Sequence, residues 1–258
     1  MTESDIFSLH MQLPYSAVTA NGWARADWLL NIFQDIASQQ CHTLGVSGFH
    51  MAEKGLKWVV AQYRIHIHTP MNWLFPFTLS TWRYPFNNLY EVRRFTITDP
   101  EGRTRVEASG IWILIKSDTG RPVRLGKHLP EPMMQVQGPD PGLIKTHPDI
   151  QDTQPATRFR VLFQDLDLNQ HVNNGVYLKW ALESMPRPHG FSYTPVKAQV
   201  YYLKECFFPD RIDCRVAITD TPLGITSSHA IVRSGSDVVL ARVALDWQKC
   251  DSLAPFHG

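Results

Sequence analysis

The order strand, helix, four strands occurs twice along this chain, and no other feature narrows its fold as much. Residues 7–13 alternate Phe7, Leu9, Met11 and Leu13 on one face, and residues 157–163 repeat the pattern with Phe159, Val161 and Phe163, as half-buried strands require. A polar bend follows each run, and then apolar residues spaced by three and four. These are Trp28, Leu29, Ile32, Phe33, Ile36, Ala37, Cys41 and Leu44 in the first half, and Val176, Tyr177, Trp180 and Ala181 in the second, so each half predicts an amphipathic helix. Gly45 predicts the stop of the first helix, and Pro186 the end of the second, because proline cannot continue the backbone ladder. Long β-type runs come next: 57–69, 76–84, 89–99 and 104–116, then 196–207, 211–219, 225–233 and 238–247. Asp99-Pro100-Glu101-Gly102 and Ser234-Gly235-Ser236-Asp237 are turn signals between the last two strands of each half.

A strongly curved antiparallel sheet wrapped around one long helix satisfies this order, and two copies side by side share a core or a continuous edge. The expected fold is α+β, a tandem (double) hotdog with two curved antiparallel sheets, each around a central helix. Residues 1–116 form the first repeat and 157–258 the second. Between them, residues 117–156 carry prolines at 122, 130, 132, 139, 141, 148 and 155 with little apolar periodicity, which predicts an extended linker. One chain already holds the paired repeats, so a monomer is sufficient and a dimer stays open.

Composition sets the compartment and excludes some partners. A formal net charge of +1 supplies no global field for nucleic acid or an anionic membrane. The four cysteines lack CxxC spacing, which reads as reduced thiols in a cytoplasmic protein. The chain opens Met-Thr-Glu-Ser-Asp and enters a strand with no basic leader and no run of 18 apolar residues, so neither export signal nor membrane span is expected. No glycine-rich phosphate loop appears, and no cofactor is implied.

The chemistry concentrates in Asp165-Leu-Asp167-Leu-Asn169-Gln-His171-Val-Asn-Asn174, at the mouth of the second helix, with Glu205-Cys206 about thirty residues on. Asp167, Asn169 and His171 alternate, so an extended approach to the helix would point all three to one side. Aligning Asn21 with Asn169, 148 positions apart, sets Thr19 against Asp167 and Trp23 against His171. Tryptophan cannot exchange a proton. One active site, carried mainly by the second half, follows, and the first half is free to supply an apolar cavity. The amino terminus of the second helix, Val172, Asn173, Asn174 and Gly175, offers backbone N–H groups for a developing oxyanion, and Gly175 permits close approach.

The stretch DLDLNQHVNNGVYLKWALES resembles the D-x-N-x-H segment of acyl-acyl carrier protein thioesterases, the family that includes the plant plastid enzymes and shorter bacterial relatives. NIFQDIASQQCHTLGV, KWVVAQYRIHIHTPMNW, YEVRRFTITD, ASGIWILI and YYLKEC support it along most of the chain. The resemblance implies hydrolysis of a fatty acyl carrier protein thioester, with Asp167, Asn169, His171 and Glu205 in the catalytic network and acyl-chain length read in the first half. Trp28, Ile32, Phe33 and Trp58 are the candidate lining there. Glu205 is the preferred base and Asp167 holds Asn169 or His171 in orientation. Cys206 beside His and Asn suggests a nucleophile, but neighbouring residues on one strand face opposite sides, which favours Glu205 as participant and Cys206 as a packed thiol.

Each of the four also has a structural reading, as an Asx-turn, a helix cap or a solvated charge. His66 and His68 form an H-x-H without a recognisable third ligand, so no metal is expected. An acidic carrier protein would dock on basic residues, drawn from Arg93, Arg94, Arg103, Arg105, Arg121, Arg124, Lys127, Arg158, Arg160, Lys197 and Lys204. An acyl-CoA thioesterase on the same scaffold, or a non-catalytic acyl-binding protein, are the alternatives.

Overall fold

The computed structural model describes residues 6–142, 150, 156–186 and 192–250. In chain order the elements are β1 (Phe7–Gln12), α1 (Ala26–Thr43), α2 (Gly48–Ala52), β2 (Leu56–Ile67), β3 (Pro76–Phe86), β4 (Tyr90–Thr98), β5 (Thr104–Lys116), α3 (Glu131–Gln135), β6 (Thr157–Arg160), α4 (Asn174–Glu183), β7 (Tyr193–Tyr202), β8 (Arg211–Thr221), β9 (Gly224–Arg233) and β10 (Val239–Lys249). The opening residues 1–5, the linker prolines 148 and 155, and residues 251–258 of the second repeat lie outside the described residues.

Local chemistry fixes both ends of the central helices. Past the end of α1, Gly45 takes φ 70°, its N–H reaches His42 O at 3.1 Å and Val46 N–H reaches Cys41 O at 2.9 Å. This pair of bonds satisfies the last carbonyls and needs the left-handed residue that glycine supplies most cheaply. Asn173 caps α4, its side chain accepting from Gly175 N at 2.8 Å. The α4 helix ends at Glu183, with Ser184 Oγ donating back to Ala181 O, two residues before Pro186.

The fold is a double hotdog, with the two sheets joined along one edge of each. The strand order is β1-β3-β4-β5-β2-β7-β10-β9-β8-β6, and the seam is the antiparallel pair β2 and β7, from Gln62 opposite Tyr201 to His66 opposite Lys197. One apolar core runs through both repeats, from Leu29, Phe33 and Phe95 to Leu178, Ile231 and Trp247. The central helices pack on each other where Asn174 Nδ2 donates to Gln34 Oε1 at 3.2 Å.

Three expectations change. The predicted strand 157–163 ends at Arg160, because Val161 N–H bonds to Asp210 O and the chain turns through a 3-10 segment at Phe163–Asp165 whose start is held by Leu162 N donating to Asp165 Oδ2. The run 196–207 is strand only over Tyr193–Tyr202, and Leu203 and Lys204 bond through their N–H groups to Leu240 O, so Glu205 and Cys206 sit in a loop. The linker is not wholly extended. Its Leu125, Leu129 and Met133 bury a second small core against Val46, Met51, Leu56 and Leu114.

Candidate active site

Asp167, Asn169 and His171 converge by a tight turn rather than by an extended run. Leu166 and Val172 form an isolated antiparallel bridge, Asp167 N donates to His171 O at 2.8 Å, and Gln170 takes φ 61° at the tip. Alternation along a strand is therefore not what places them together. Within the turn, Asp167 Oδ1 accepts from Asn169 N at 2.8 Å and from His171 N at 3.4 Å, while Oδ2 accepts from Asn169 Nδ2 at 3.3 Å. Asp167 thus organises the loop and holds the Asn169 amide.

Glu205 arrives from the other loop. Its Oε1 lies 3.3 Å from His171 Nδ1 and 2.8 Å from Lys57 Nζ, and Lys57 sits at the start of β2 in the first repeat. The two loops are tied where Val172 N donates to Cys206 O at 3.0 Å, and Phe207 sets its ring edge-on to His171 at 4.9 Å. Neighbours in sequence, Glu205 and Cys206 separate completely: Glu205 is exposed, whereas Cys206 is fully buried. Burial pushes the Cys206 thiol up to about 12, aided by Asp210, whose Oδ2 lies 3.6 Å from Sγ. A thiol held so far above neutral pH carries almost no thiolate, the form that attacks.

The amino terminus of α4 is less open than its sequence suggests. Val172, Asn173, Gly175 and Val176 all spend their N–H groups within the protein, on Cys206 O, Asp165 O, Asn173 Oδ1 and Asn173 O. Gly175 makes room for the first repeat: a Cβ there would meet Asn31 Oδ1 of α1 at 2.2 Å. The expected oxyanion role for Val172, Asn173 and Gly175, and the expected close approach at Gly175, are thereby corrected, since capping and helix packing consume those groups.

Two cavities meet at this point. The larger, about 350 Å³, runs into the first repeat and the smaller, about 170 Å³, covers the loops of His171 and Glu205; Gln34, Lys57, Trp58, Trp112, Asn169 and His171 line both. Asp167, Val172, Asn174 and Glu205 line the smaller one. Of the four predicted chain-binding residues, Trp58 is in the wall, with Nε1 donating to Val46 O at 3.0 Å. Trp28, Ile32 and Phe33 are corrected to core: Trp28 packs edge-on against Phe77 and Phe33 stacks on Phe95. The α1 residues that do face the larger cavity are Gln34, Ala37, Ser38 and Cys41, a stripe at helical spacing beside the apolar one.

The larger cavity ends on buried charge. Arg93 and Glu91 line it, each almost wholly buried; Glu91 forms a bidentate pair with Arg83, and Arg93 donates to Gln40 Oε1, Thr81 Oγ1 and Cys41 Sγ. Buried ions persist only with their hydrogen bonds met, and this network meets them. Arg93 is therefore removed from the basic surface expected to dock a carrier. Sequence reasoning also missed Lys57 and Gln34, which the first repeat brings to the walls of both cavities.

The first repeat contains the same turn without the chemistry. Val18 bridges Ala24, Thr19 N donates to Trp23 O at 2.8 Å, Gly22 N donates to Thr19 O, and Gly22 takes φ 81°. Each of these is offset by 148 residues from its counterpart around Asp167. Elsewhere, Glu107 joins His66 and His68, their ligand atoms lying within 4.8 Å of one another. His68 Nε2 already contacts Glu107 Oε2 at 3.2 Å, and Arg64, Arg94 and Lys197 line the same cleft, setting positive charge against a cation. No helix among the described residues is long and apolar enough to cross a membrane.

Residues 4–133 match the acyl-ACP thioesterase N-terminal domain family and residues 149–249 the acyl-ACP thioesterase C-terminal domain family. The chain is 25% identical over 228 residues to the chloroplastic oleoyl-acyl carrier protein thioesterase 2 of Arabidopsis thaliana, covering 81% of this chain and 62% of that protein. It is 25% identical over 217 residues to the chloroplastic palmitoyl-acyl carrier protein thioesterase of Gossypium hirsutum, covering 78% and 52%. It thus spans little more than half the length of these relatives. Two solved structures share the fold: an acyl-ACP thioesterase from Bacteroides thetaiotaomicron (TM-score 0.84, 20% identity, 96% of this chain and 100% of that one) and the 12:0-ACP thioesterase from Umbellularia californica (TM-score 0.83, 18% identity, 95% and 94%).

Proposed function

The chain belongs to the acyl-ACP thioesterase family, and from that premise we propose that it hydrolyses the thioester of a fatty acyl carrier protein, releasing the free fatty acid and the holo-carrier. The observation that carries this reading is the Glu205–His171 contact at the junction of two cavities. An ionised carboxylate can only accept, so Glu205 favours the tautomer with a proton on Nδ1, leaving Nε2 to take the proton of an attacking water. This geometry supports His171 as the base and Glu205 as the group that orients it, in place of Glu205 as base with Asp167 as the orienting group. Asn169, with one amide N–H committed to Asp167, has a second donor for the carbonyl oxygen that becomes an oxyanion. Water adds to the thioester carbon, the intermediate expels the carrier's thiolate, and the proton held by His171 returns to that sulfur. The buried Cys206 is a spectator.

The larger cavity receives the acyl chain, with Trp58, Trp112, Ala37, Ala52 and Leu56 as apolar wall. No disulfide joins the four cysteines, which supports a reducing, cytoplasmic setting. Because the seam already joins two repeats within one chain, a monomer completes the site. The test is hydrolysis of matched acyl carrier protein and acyl-CoA thioesters by the wild type and by Asn169→Ala/His171→Ala. Turnover selective for the carrier and lost in the variant is the expected result. Equal turnover of CoA esters would shift the substrate class, and acyl binding without hydrolysis of either would overturn the reading.

A further inference from the structure

We propose that Lys57, delivered by the first repeat, is a positioning residue for the catalytic pair of the second, holding Glu205 against His171; the proposal rests on the hydrolase reading above. Lys57 Nζ lies 2.8 Å from Glu205 Oε1, the same oxygen that His171 Nδ1 approaches at 3.3 Å. Glu205 stands on a loop and is exposed, so without a partner its side chain has several rotamers open to it, and each conformer away from His171 releases the Nδ1 tautomer. The ammonium restricts that choice. Lys57 itself is better fixed, at the start of β2, where Leu56 pairs with Lys116 and Lys57 with Ile115. Because β2 forms the seam with β7, and β7 leads directly into the Glu205 loop, the two partners are carried by hydrogen-bonded neighbours. Lys57 lines both cavities beside His171 and Asn169, which places its charge at the mouth rather than on the outer surface.

The remaining charges around Glu205 do not replace it. Arg233 Nη2 donates to the Glu205 backbone carbonyl and to Asp210, Lys204 is the adjacent residue in the loop, and Asp167 is committed to its own turn. Lys57 is thus the cation that the described contacts give to the Glu205 carboxylate. A sequence-level reading of Lys57 as a solvated charge would predict that its removal leaves the second repeat unaffected.

Lys57→Met keeps the stem and removes the charge; Lys57→Arg keeps both. The expected results are a kcat about 10- to 100-fold lower in Lys57→Met with KM changed less than about threefold, and substantial recovery in Lys57→Arg. Combined with Glu205→Gln, Lys57→Met should add little further loss, because it acts through that carboxylate. A readout independent of turnover is the tautomer of the neutral His171 ring, read from its nitrogen NMR shifts in the wild type and Lys57→Met: the wild type should hold the proton on Nδ1, and the variant should lose that preference. Additive losses in the double variant, or a His171 tautomer unchanged in Lys57→Met, overturn the assignment. So does a higher KM for the carrier substrate with kcat unchanged, which would make Lys57 a docking contact. Wild-type protein that hydrolyses no thioester removes the hydrolase reading instead, and the His171 tautomer still decides whether Lys57 holds Glu205 against the ring.

Discussion

The turn at Thr19–Trp23 and the turn at Asp167–His171 have the same backbone and different side chains. Both are closed by an antiparallel bridge and by the N–H of the first residue donating to the carbonyl of the fifth. In the first, Trp23 sends its Nε1 to Cys250 Sγ at 3.4 Å; in the second, His171 meets Glu205. The comparison teaches that the fold supplies a scaffold for a site and that side chains alone decide whether it becomes one. The interiors differ in the same way. The first repeat opens onto a cavity lined by Arg93 and Glu91, whereas the second buries His229 between Ser184 and Ser227.

The largest effect that would sharpen this contrast is on turnover. His171→Ala should lower kcat by roughly 10²–10⁴-fold with thermal stability near wild type, and near-normal rates would break the claim that only the second turn is catalytic. Next comes a stability difference between the two interiors. Burial lowers the pKa of His229 from 6.5 to about 3, so between those values the unfolded chain binds a proton that the folded one refuses. Stability from this group is full above about pH 6.5 and is lost as pH falls towards 3, at up to about 1.4 kcal/mol per pH unit. Urea midpoints between pH 7.5 and 4.5 should fall more steeply in wild type than in His229→Asn; equal slopes would refute the buried neutral imidazole.

Smaller effects probe the turn itself. Asp167→Ala, which removes the acceptor for two backbone N–H groups and the Asn169 amide, should cost about 10- to 100-fold in kcat. Cys206→Ala should keep activity within about threefold, since the thiol is buried and held protonated; abolished activity in a folded variant would restore a nucleophile. The smallest expected effect is none. Thr19→Asp/Trp23→His in a His171→Ala background should restore no turnover, because the first turn lacks a Glu205 and a Lys57 opposite it. Recovered hydrolysis would show that the two turns differ by two residues only.

Much of this was legible in the residues. Strand alternation and the three-four spacing located every long element, and Gly45 marked the end of α1 through a backbone conformation that few residues tolerate. The sequence singled out Asp167, Asn169 and His171 as a group, and one turn holds all three, although it is bent where alternation implied extension. What the sequence hid was direction. Apolar spacing says that Trp28, Ile32 and Phe33 are buried, but the same spacing fits a core and a cavity wall. The discriminating signal was the stripe of small and polar residues beside them, Gln34, Ala37, Ser38 and Cys41, which leaves empty space. Lys57 and Arg93 were obscured for a related reason, since a lone cation in a strand looks solvated until its partner, more than forty residues away for Gln40 and Arg93 and 148 for Lys57 and Glu205, is known.

The seam between β2 and β7 also governs motion. An uninterrupted ladder of backbone hydrogen bonds from one repeat to the other leaves no hinge where a two-domain enzyme would place one, so opening and closing cannot be a rigid-body swing of the halves. Any widening of the cavity mouth falls instead to the loops and side chains that form it, Phe207 and the Asp167–His171 turn among them, since local motions of this kind are faster and of smaller amplitude than domain closure.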